Sequence, residues 1–212
     1  MTAAAVVLIA AGCGNDGKPV IPKDAELEKL VEKTLSRMSL DEKIGQMTQI
    51  TIDAASEKSA DGNSYTLNEE KLAYFIDTYK VGSFLNTPVG KAMPAAEWNV
   101  LVKTLNDRSL KVMGIPTLYG LDHIHGTTYI SDGTLFPQPI AVAATFDREF
   151  ARLSGEITAY ESRAADVPWS FNPTLDSGRD PRWPRFWENY GEDWYVNAEM
   201  GKATILGEQG SD

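Results

Sequence analysis

Residues 146–171 read FDREFARLSGEITAYESRAADVPWSF and join a helical pattern to a strand-like one. In the first part of this stretch, apolar residues recur at intervals of four and three: Phe146, Phe150, Leu153, Ile157, Tyr160 and Ala164. That spacing places them on one face of an α-helix. Residues 167–171 then form a short apolar run typical of a strand. A long helix that leads directly into a strand is the repeating unit of parallel α/β folds.

The same alternation extends towards both ends of the chain. Residues 81–85 and 116–121 are predicted strands, residues 192–206 a helix, and residues 53–66 a polar loop. Further helices are predicted from apolar spacing at the segments that begin near Leu27, Leu40, Leu72 and Trp98. About four strand–helix units result, which predicts an α/β fold with a parallel sheet. A closed (β/α)₈ barrel needs eight strands and typically ~250 residues, so we expect the chain to be the first part of a larger protein.

The composition excludes several classes of function. The chain has 212 residues, a net charge of -10 and a pI near 4.7, so its surface repels nucleic acid. Cys13 is its single cysteine, and His123 and His125 are its two histidines. One cysteine allows neither an internal disulfide nor a cysteine-based zinc site. We therefore expect no metal and no other cofactor.

The N-terminal segment resembles a bacterial secretory signal. Residues 3–11 form an unbroken apolar run that is too short to span a bilayer as a helix. Residues 10–13, AAGC, resemble a lipobox, in which Cys13 would be lipidated. We predict a signal peptide with a lipobox at 1–13 and a polar tether at 14–24, although no Lys or Arg precedes the apolar run. The alternative is a buried first helix with a core cysteine.

The first concentration of polar residues follows the predicted strand 116–121. Residues 119–126 read YGLDHIHG, and the carboxyl end of a parallel strand is where α/β folds carry their sites. Asp122 could accept two sugar hydroxyls at once. The pattern His123-x-His125 could also indicate a metal, but hydrogen-bonding histidines are the favoured interpretation because no third histidine is present. The remaining alternative for Asp122 is a structural helix cap.

The second concentration of polar residues follows the predicted strand 167–171. Residues 172–185 read NPTLDSGRDPRWPR, and four of the five tryptophans lie in or near this segment: Trp169, Trp183, Trp187 and Trp194. Indole rings stack on sugar rings, and Arg and Asp side chains bind sugar hydroxyls. The pattern favours a carbohydrate site over its alternative, a salt-bridged surface loop with core tryptophans.

Several of these motifs together resemble the N-terminal domain of glycoside hydrolase family three. The resemblance covers about residues 25–208. It is carried by LDEKIGQM at 40–47, GLD at 120–122 with HG at 125–126, TLFP at 134–137, AATFD at 143–147, FNPTLD at 171–176, RDPRW at 179–183 and YGED at 190–193. Residues 25–212 are accordingly predicted to be the N-terminal part of the family's barrel domain.

The resemblance implies a (β/α)₈-type barrel, here incomplete, followed by an α/β sandwich. It matches Asp122 to the aspartate that binds glycone hydroxyls and Arg185 to an arginine of the same subsite. We add His125, Arg179 and Trp183 as substrate-binding candidates. Pro184 stands where the family usually has glycine, so the geometry before Arg185 departs from the pattern.

The resemblance finds no catalytic residue of the family in this chain, and this determines the activity that we expect of it. From sequence alone, Asp122 and Asp176 could be nominated as the two carboxyl groups that a retaining glycosidase needs. The family instead places its nucleophile, its acid/base and a Lys-His substrate-binding pair further along the chain, and this sequence has no Lys-His dipeptide. No catalytic residue is therefore expected within residues 1–212, and the fragment itself is expected to be inactive.

The resulting prediction is a secreted, periplasmic or outer-membrane bacterial lipoprotein that contacts the membrane only through its lipid anchor. In full length it would be an exo-acting β-glucosidase-type hydrolase that works by retaining double displacement, without cofactors, on β-linked glucosides or oligosaccharides. One alternative is a non-catalytic carbohydrate-binding lipoprotein. Another is a sugar-phosphate barrel enzyme such as an aldolase, which the missing Gly-rich phosphate loop and Schiff-base lysine disfavour.

Overall fold

The computed structural model describes residues 24–210, and the chain divides into two units after Ser39. In the first unit, the described residues form helix α1 (Ala25–Leu35). Asp24 caps this helix by accepting hydrogen bonds from the backbone N–H groups of Glu26 and Leu27. The predicted signal peptide, the lipidation site Cys13 and all of the predicted tether except Asp24 lie outside the described residues.

The second unit alternates helices and strands, and it contains the predicted elements together with four that were not predicted. Its described helices are α2 (Leu40–Gln46), α3 (Glu69–Leu72), α4 (Ala95–Met113), α5 (Pro139–Ala143), α6 (Arg148–Ala164) and α7 (Trp194–Gln209), of which α5 was not predicted. Its described strands are β1 (Gln49–Thr51), β2 (Ser56–Lys58), β3 (Tyr65–Leu67), β4 (Ser83–Leu85), β5 (Leu118–Leu121) and β6 (Trp169–Ser170), of which β1, β2 and β3 were not predicted. Helix α3 continues as a π-helical segment, Ala73–Thr78. Among the described residues, no helix is both long and apolar enough to cross a bilayer.

Four strands form one parallel sheet in the order β1-β4-β5-β6. Ser83 of β4 pairs with Gln49 on one side and Leu118 on the other, and Gly120 of β5 pairs with Trp169 of β6. Helix α4 connects β4 to β5, and helices α5 and α6 lie between β5 and β6 along the chain. This arrangement confirms the predicted α/β fold with a parallel sheet.

The main core is built from side chains of the central strands and of helix α4. Each large apolar side chain that is fully buried stabilises the fold by about 1.5–3 kcal/mol relative to exposure. Trp98 of α4 is fully buried, and its indole N–H donates a 2.8 Å hydrogen bond to the Tyr129 carbonyl. That bond ties α4 to the loop after β5. The largest fully buried side chains are those of Ile52, Leu72, Ile76, Phe84, Trp98, Leu101, Val102, Leu105, Tyr119, Leu121, His123 and Val167.

Helix α6 exists as predicted, but the apolar residues whose spacing predicts it do not form its buried face. Its large apolar side chains are exposed: Phe150, Leu153, Ile157 and Tyr160, with Phe146 just before the helix. The buried face consists of small residues: Ala151, Gly155, Thr158 and Ser162. A Cβ on Gly155 would collide with the Thr204 carbonyl oxygen, and one on Gly207 with the Arg152 carbonyl oxygen. Helices α6 and α7 therefore approach so closely that only small residues fit between them.

The prediction of a polar loop over residues 53–66 is wrong in part. Strands β2 and β3 form an antiparallel hairpin there, with Ser56 opposite Leu67 and Lys58 opposite Tyr65. Strand β1 was not predicted either. These three strands read QIT, SEK and YTL, and none of them carries the apolar run that predicts β4 and β6.

Candidate functional site

A cavity of about 290 Å³ lies beyond the carboxyl end of strand β5. It is lined by residues from the loop after β5, from the start of α5 and from the segment after β6: Asp122, Ile124, His125, Thr128, Tyr129, Gln138, Arg185 and Glu188. The carboxyl ends of parallel strands meet at one edge of a sheet, which explains why such distant segments converge here. Three predicted site residues, Asp122, His125 and Arg185, line this single cavity.

Asp122 presents a free carboxylate to the cavity. It directly follows β5, and its side chain is half-buried. No group within residues 24–210 donates a hydrogen bond to that carboxylate, whereas its carbonyl oxygen accepts one from the Thr128 hydroxyl at 3.1 Å. A half-buried carboxylate without a hydrogen-bond donor costs free energy of folding unless water or a ligand donates to it. The arrangement suits a group that accepts hydrogen bonds from a ligand.

Close packing fixes the strand that carries Asp122. A Cβ on Gly120 of β5 would collide with the Phe171 ring, so only glycine fits at this position. The Phe171 ring in turn packs edge-to-face on Trp169, with ring centroids 5.0 Å apart. This contact ties the end of β5, and with it Asp122, to the end of β6.

Two hydrogen bonds to Phe136, across the loop after β5, hold His125 at the cavity. Its Nδ1 lies 2.8 Å from the Phe136 carbonyl oxygen, and the Phe136 N–H donates to the His125 carbonyl at 2.8 Å. Because a carbonyl only accepts, Nδ1 carries the proton and Nε2 remains an acceptor in the neutral ring. Gly126 follows with φ +97°, a conformation that side-chain-bearing residues rarely adopt.

Glu161 of helix α6 binds the loop after β5 through its carboxylate. Its carboxylate accepts hydrogen bonds from the Thr134 N–H at 2.7 Å, the Thr134 hydroxyl at 2.6 Å and the Thr127 hydroxyl at 2.8 Å. Partial burial works against ionisation, but these bonds outweigh it and lower the pKa of Glu161. The carboxylate thus joins both arms of the loop that supplies His125.

His123 does not share the site with His125. It is fully buried, and its Nδ1 lies 3.1 Å from the Ser162 hydroxyl oxygen. That hydroxyl donates its own proton to the Val167 carbonyl, so Nδ1–H of His123 must be the donor to Ser162. Burial lowers the pKa of His123 to about 4, which makes it a neutral core residue. Within residues 24–210, no group of three or more His, Cys, Asp or Glu side chains could hold a metal ion.

Arg185 also lines the cavity and is paired with Glu188. Its Nε donates to Glu188 Oε2 at 2.7 Å, and Nη2 lies 2.6 Å from the same oxygen. The hydrogen bond to Glu188 raises the pKa of Arg185, and the nearby carboxylates of Asp122 and Asp176 act in the same direction. For Tyr129, burial and then the carboxylates of Asp122 and Glu188 raise the pKa of the phenol. These charges therefore surround one small volume.

Two other sequence-predicted residues lie on the segment after β6 but do not line this cavity. Arg179 is exposed and Trp183 is half-buried. Of the tryptophans in and near this segment, Trp169 packs on Phe171, and Trp187 and Trp194 are exposed. The substrate-binding roles of Arg179 and Trp183 stay predictions.

Sequence reasoning missed Gln138 and Glu188. The Oε1 atom of Gln138 is buried at the cavity wall without a hydrogen-bond partner. Gln138 directly follows the TLFP motif, and Glu188 stands three residues after Arg185, the spacing of an ion pair within one helical turn. Both signals were present in the sequence, but neither is specific without the fold.

The chain also has known relatives. Residues 39–212 match the family model described as the glycosyl hydrolase family 3 N terminal domain. A lysosomal beta glucosidase of Dictyostelium discoideum is 38% identical in an alignment of 196 residues that covers 87% of this chain and 23% of that protein. A periplasmic beta-glucosidase of Salmonella typhimurium is 28% identical over 86% of this chain and 21% of its own length. The chain thus spans less than a quarter of these two curated relatives.

Solved structures agree with the family match. A D270A beta-glucosidase of Listeria innocua in complex with laminaribiose is 32% identical with a TM-score of 0.67, over 86% of this chain and 24% of its own. An exo-1,3/1,4-beta-glucanase from a Pseudoalteromonas species is 28% identical with a TM-score of 0.73, over 88% and 22%. These neighbours confirm the predicted fold class, an N-terminal portion of a (β/α)₈-type barrel. The chain belongs to glycosyl hydrolase family 3, and its match is to the N-terminal domain of that family.

Proposed function

We propose that the protein is an exo-acting β-glycosidase of the β-glucosidase type, to which this chain contributes the N-terminal part of the barrel. The observation that carries the proposal is the cavity beyond β5, in which the unpaired Asp122 carboxylate shares a small volume with Arg185. A carboxylate accepts hydrogen bonds from hydroxyl groups and a guanidinium donates them, which is the combination that a sugar requires. The named hydrolases among the relatives support a hydrolase over a non-catalytic binding protein.

In this proposal the chain binds the sugar, and the two catalytic carboxyl groups lie elsewhere in the protein. A retaining glycosidase uses two carboxyl groups about 5–5.5 Å apart, one as nucleophile and one as acid/base. Of the two carboxyl groups that line the cavity, Glu188 is already bound to Arg185, which supports a structural role for it. We propose that Asp122 binds the glycone, that the nucleophile and the acid/base lie outside residues 24–210, and that the isolated chain is inactive. Double displacement through two carboxyl groups needs no metal or organic cofactor.

The proposed substrates are β-linked glucosides or oligosaccharides. The Listeria innocua enzyme was solved with laminaribiose, and the relatives include beta-glucosidases and a beta-xylosidase of Formosa agariphila. The cavity volume of about 290 Å³ lies near the lower end of the range for small-molecule sites, which supports a small ligand such as a sugar. His125, Arg179 and Trp183 remain the further proposed contacts.

The proposed location is the bacterial periplasm or outer membrane, with Cys13 as the lipid attachment site. Support comes from the apolar run and AAGC sequence at residues 3–13 and from periplasmic relatives in Salmonella typhimurium and Dickeya chrysanthemi.

The test is an assay of the full-length protein that contains this chain. Purified protein should hydrolyse aryl β-D-glucosides or β-D-xylosides, and proton NMR of the first product should show the β-anomer, because double displacement retains configuration. An initial α-anomer would overturn the retaining mechanism. A protein that binds glucose without hydrolysing any β-glycoside would be the binding lipoprotein instead.

A further inference from the structure

The Arg185–Glu188 pair has an asymmetry that indicates which partner is fixed. The side chain of Glu188 is 17% exposed, whereas that of Arg185 is 50% exposed. Arg185 and Glu188 stand at the two ends of one helical turn, in which the Glu188 N–H donates to the Arg185 carbonyl at 3.0 Å. The carboxylate is the more buried member of the pair, and the guanidinium is the more exposed one.

A buried asparagine anchors that turn. Asn189 is fully buried, and its Nδ2 donates to the Phe186 carbonyl at 2.8 Å while its Oδ1 accepts from the Gly191 N–H at 2.7 Å. The backbone on either side of Glu188 is therefore held by bonds that do not involve Arg185. Glu188 has a fixed position from which to orient the arginine.

Without Glu188, a second carboxylate competes for the same guanidinium. Asp122 lines the same cavity, its carboxylate is unpaired, and it lies close enough to raise the pKa of Arg185. Opposite charges across a small, partly desolvated space attract strongly. A released Arg185 would move towards Asp122 and neutralise the acceptor that a sugar needs.

We propose that Glu188 is a positioning residue that holds Arg185 away from Asp122, so that both remain available to substrate hydroxyls. With Nε and Nη2 engaged by Glu188, the remaining guanidinium N–H groups are free to donate to the ligand, and the Asp122 carboxylate is free to accept. The inference rests on the proposed glycone site and adds a residue to it.

The test uses Glu188→Gln in the full-length protein, with glucose as the probe. Glutamine keeps the size of the side chain and loses the charge that holds the arginine. The inhibition constant of glucose and the KM of an aryl β-glucoside should each rise about tenfold, with a smaller change in kcat, because binding of the glycone is impaired. The matched control is Glu149→Gln, since Glu149 forms the same kind of one-turn pair with Arg152 at 2.9 and 2.7 Å, away from the cavity. This control should leave both constants unchanged.

A double-mutant cycle separates positioning from a general structural role. In an Arg185→Ala background, Glu188→Gln should cause no further loss, because the residue it acts through is gone. Equal losses in both backgrounds, or an unchanged glucose constant in Glu188→Gln, would overturn the assignment of Glu188 while leaving the proposed function intact. A parent enzyme that neither binds glucose nor hydrolyses the glucoside would overturn the proposed function itself, and the assignment with it.

Discussion

At the scale of single residues, we propose that Asp122 binds the sugar. Replacing it with asparagine keeps the shape of the side chain but removes the charge and one acceptor. A hydrogen bond that involves a charged group contributes about 1.5–3 kcal/mol, which corresponds to roughly ten- to 150-fold in a rate or equilibrium constant. We expect Asp122→Asn to reduce kcat/KM of the full-length enzyme by about that factor, measured with an aryl β-glucoside.

A matched control for Asp122 is Asp132, whose carboxylate caps helix α4 by accepting from the Ala95 N–H at 2.9 Å. Asp132→Asn retains a capping oxygen and lies outside the residues that line the cavity, so its kcat/KM should equal that of the parent. A loss below threefold in Asp122→Asn, or an equal loss in the control, would remove Asp122 from the binding site.

Glu208 is the second residue with a measurable signature, because its carboxyl group is buried beside the segment after β6. Burial raises its pKa to about 7, and the hydrogen bond from Asn172 Nδ2 to Oε1, at 2.8 Å, only partly offsets this. The folded pKa thus lies above the ordinary value of 4.5. Glu208 therefore contributes stability below about pH 4.5, and that contribution is lost as the pH rises through about 7.

We expect Glu208→Gln to remove this pH dependence. The variant should gain free energy of unfolding over the parent between about pH 5 and about pH 8, measured by urea denaturation at each pH. Asn172 can still donate to the glutamine oxygen, so the gain should come from the lost titration alone. The exposed Glu156 is the control: Glu156→Gln should give the same small difference at both pH values. A constant offset for Glu208→Gln at the two values would contradict the raised pKa.

Helices α6 and α7 illustrate, at the scale of elements, how close packing can outweigh helix propensity. Alanine favours a helix over glycine by about 1 kcal/mol in an open position. Gly155→Ala should nevertheless destabilise the protein by about 1–3 kcal/mol, because the added methyl group meets the Thr204 carbonyl oxygen. Thermal unfolding should show a lower Tm for Gly155→Ala. The exposed neighbour Glu156→Ala should change the free energy of unfolding by no more than about 0.5 kcal/mol. A stabilised Gly155→Ala would show that the two helices are not in close contact.

Element by element, the sequence predicts most of the fold because helix and strand patterns alternate so regularly. The limits are physical. Strands β2 and β3 read SEK and YTL, which lack the apolar run that predicts β4 and β6, and they form by pairing with each other in a hairpin. For α6, periodicity predicts the helix, whereas its buried face is made of small residues, which carry almost no hydrophobic signal in the sequence.

The site shows the same division between local and tertiary information. The sequence places Asp122 and His125 directly after strand β5, and it singles out Arg185 only through the family resemblance; the structure brings all three to one cavity. Gln138 and Glu188 could not be predicted, since their place in the cavity depends on how the loop after β5 and the turn after Arg185 fold back.

At the scale of the whole molecule, the predicted lipid anchor is independent of the barrel. A single acyl chain gives only marginal membrane binding, whereas lipidation at Cys13 would supply two or more chains at ~0.8 kcal/mol per buried CH₂. Expressed in a Gram-negative host with a complete signal, the protein should partition into the detergent phase, and Cys13→Ser should release it into buffer. Equal release of both forms would contradict the anchor and leave the proposed enzymatic activity unaffected.

The central claim is that this chain supplies the glycone-binding groups of a retaining β-glycosidase, while the nucleophile lies outside residues 24–210. The most direct measurement is labelling of the full-length protein with a mechanism-based 2-fluoro glycoside, followed by peptide mapping in the mass spectrometer. We expect one covalent label, on an aspartate or glutamate outside this range, and we expect Asp122→Asn to take up the same label more slowly. A label on Asp122, or on any other carboxylate within residues 24–210, would contradict this account.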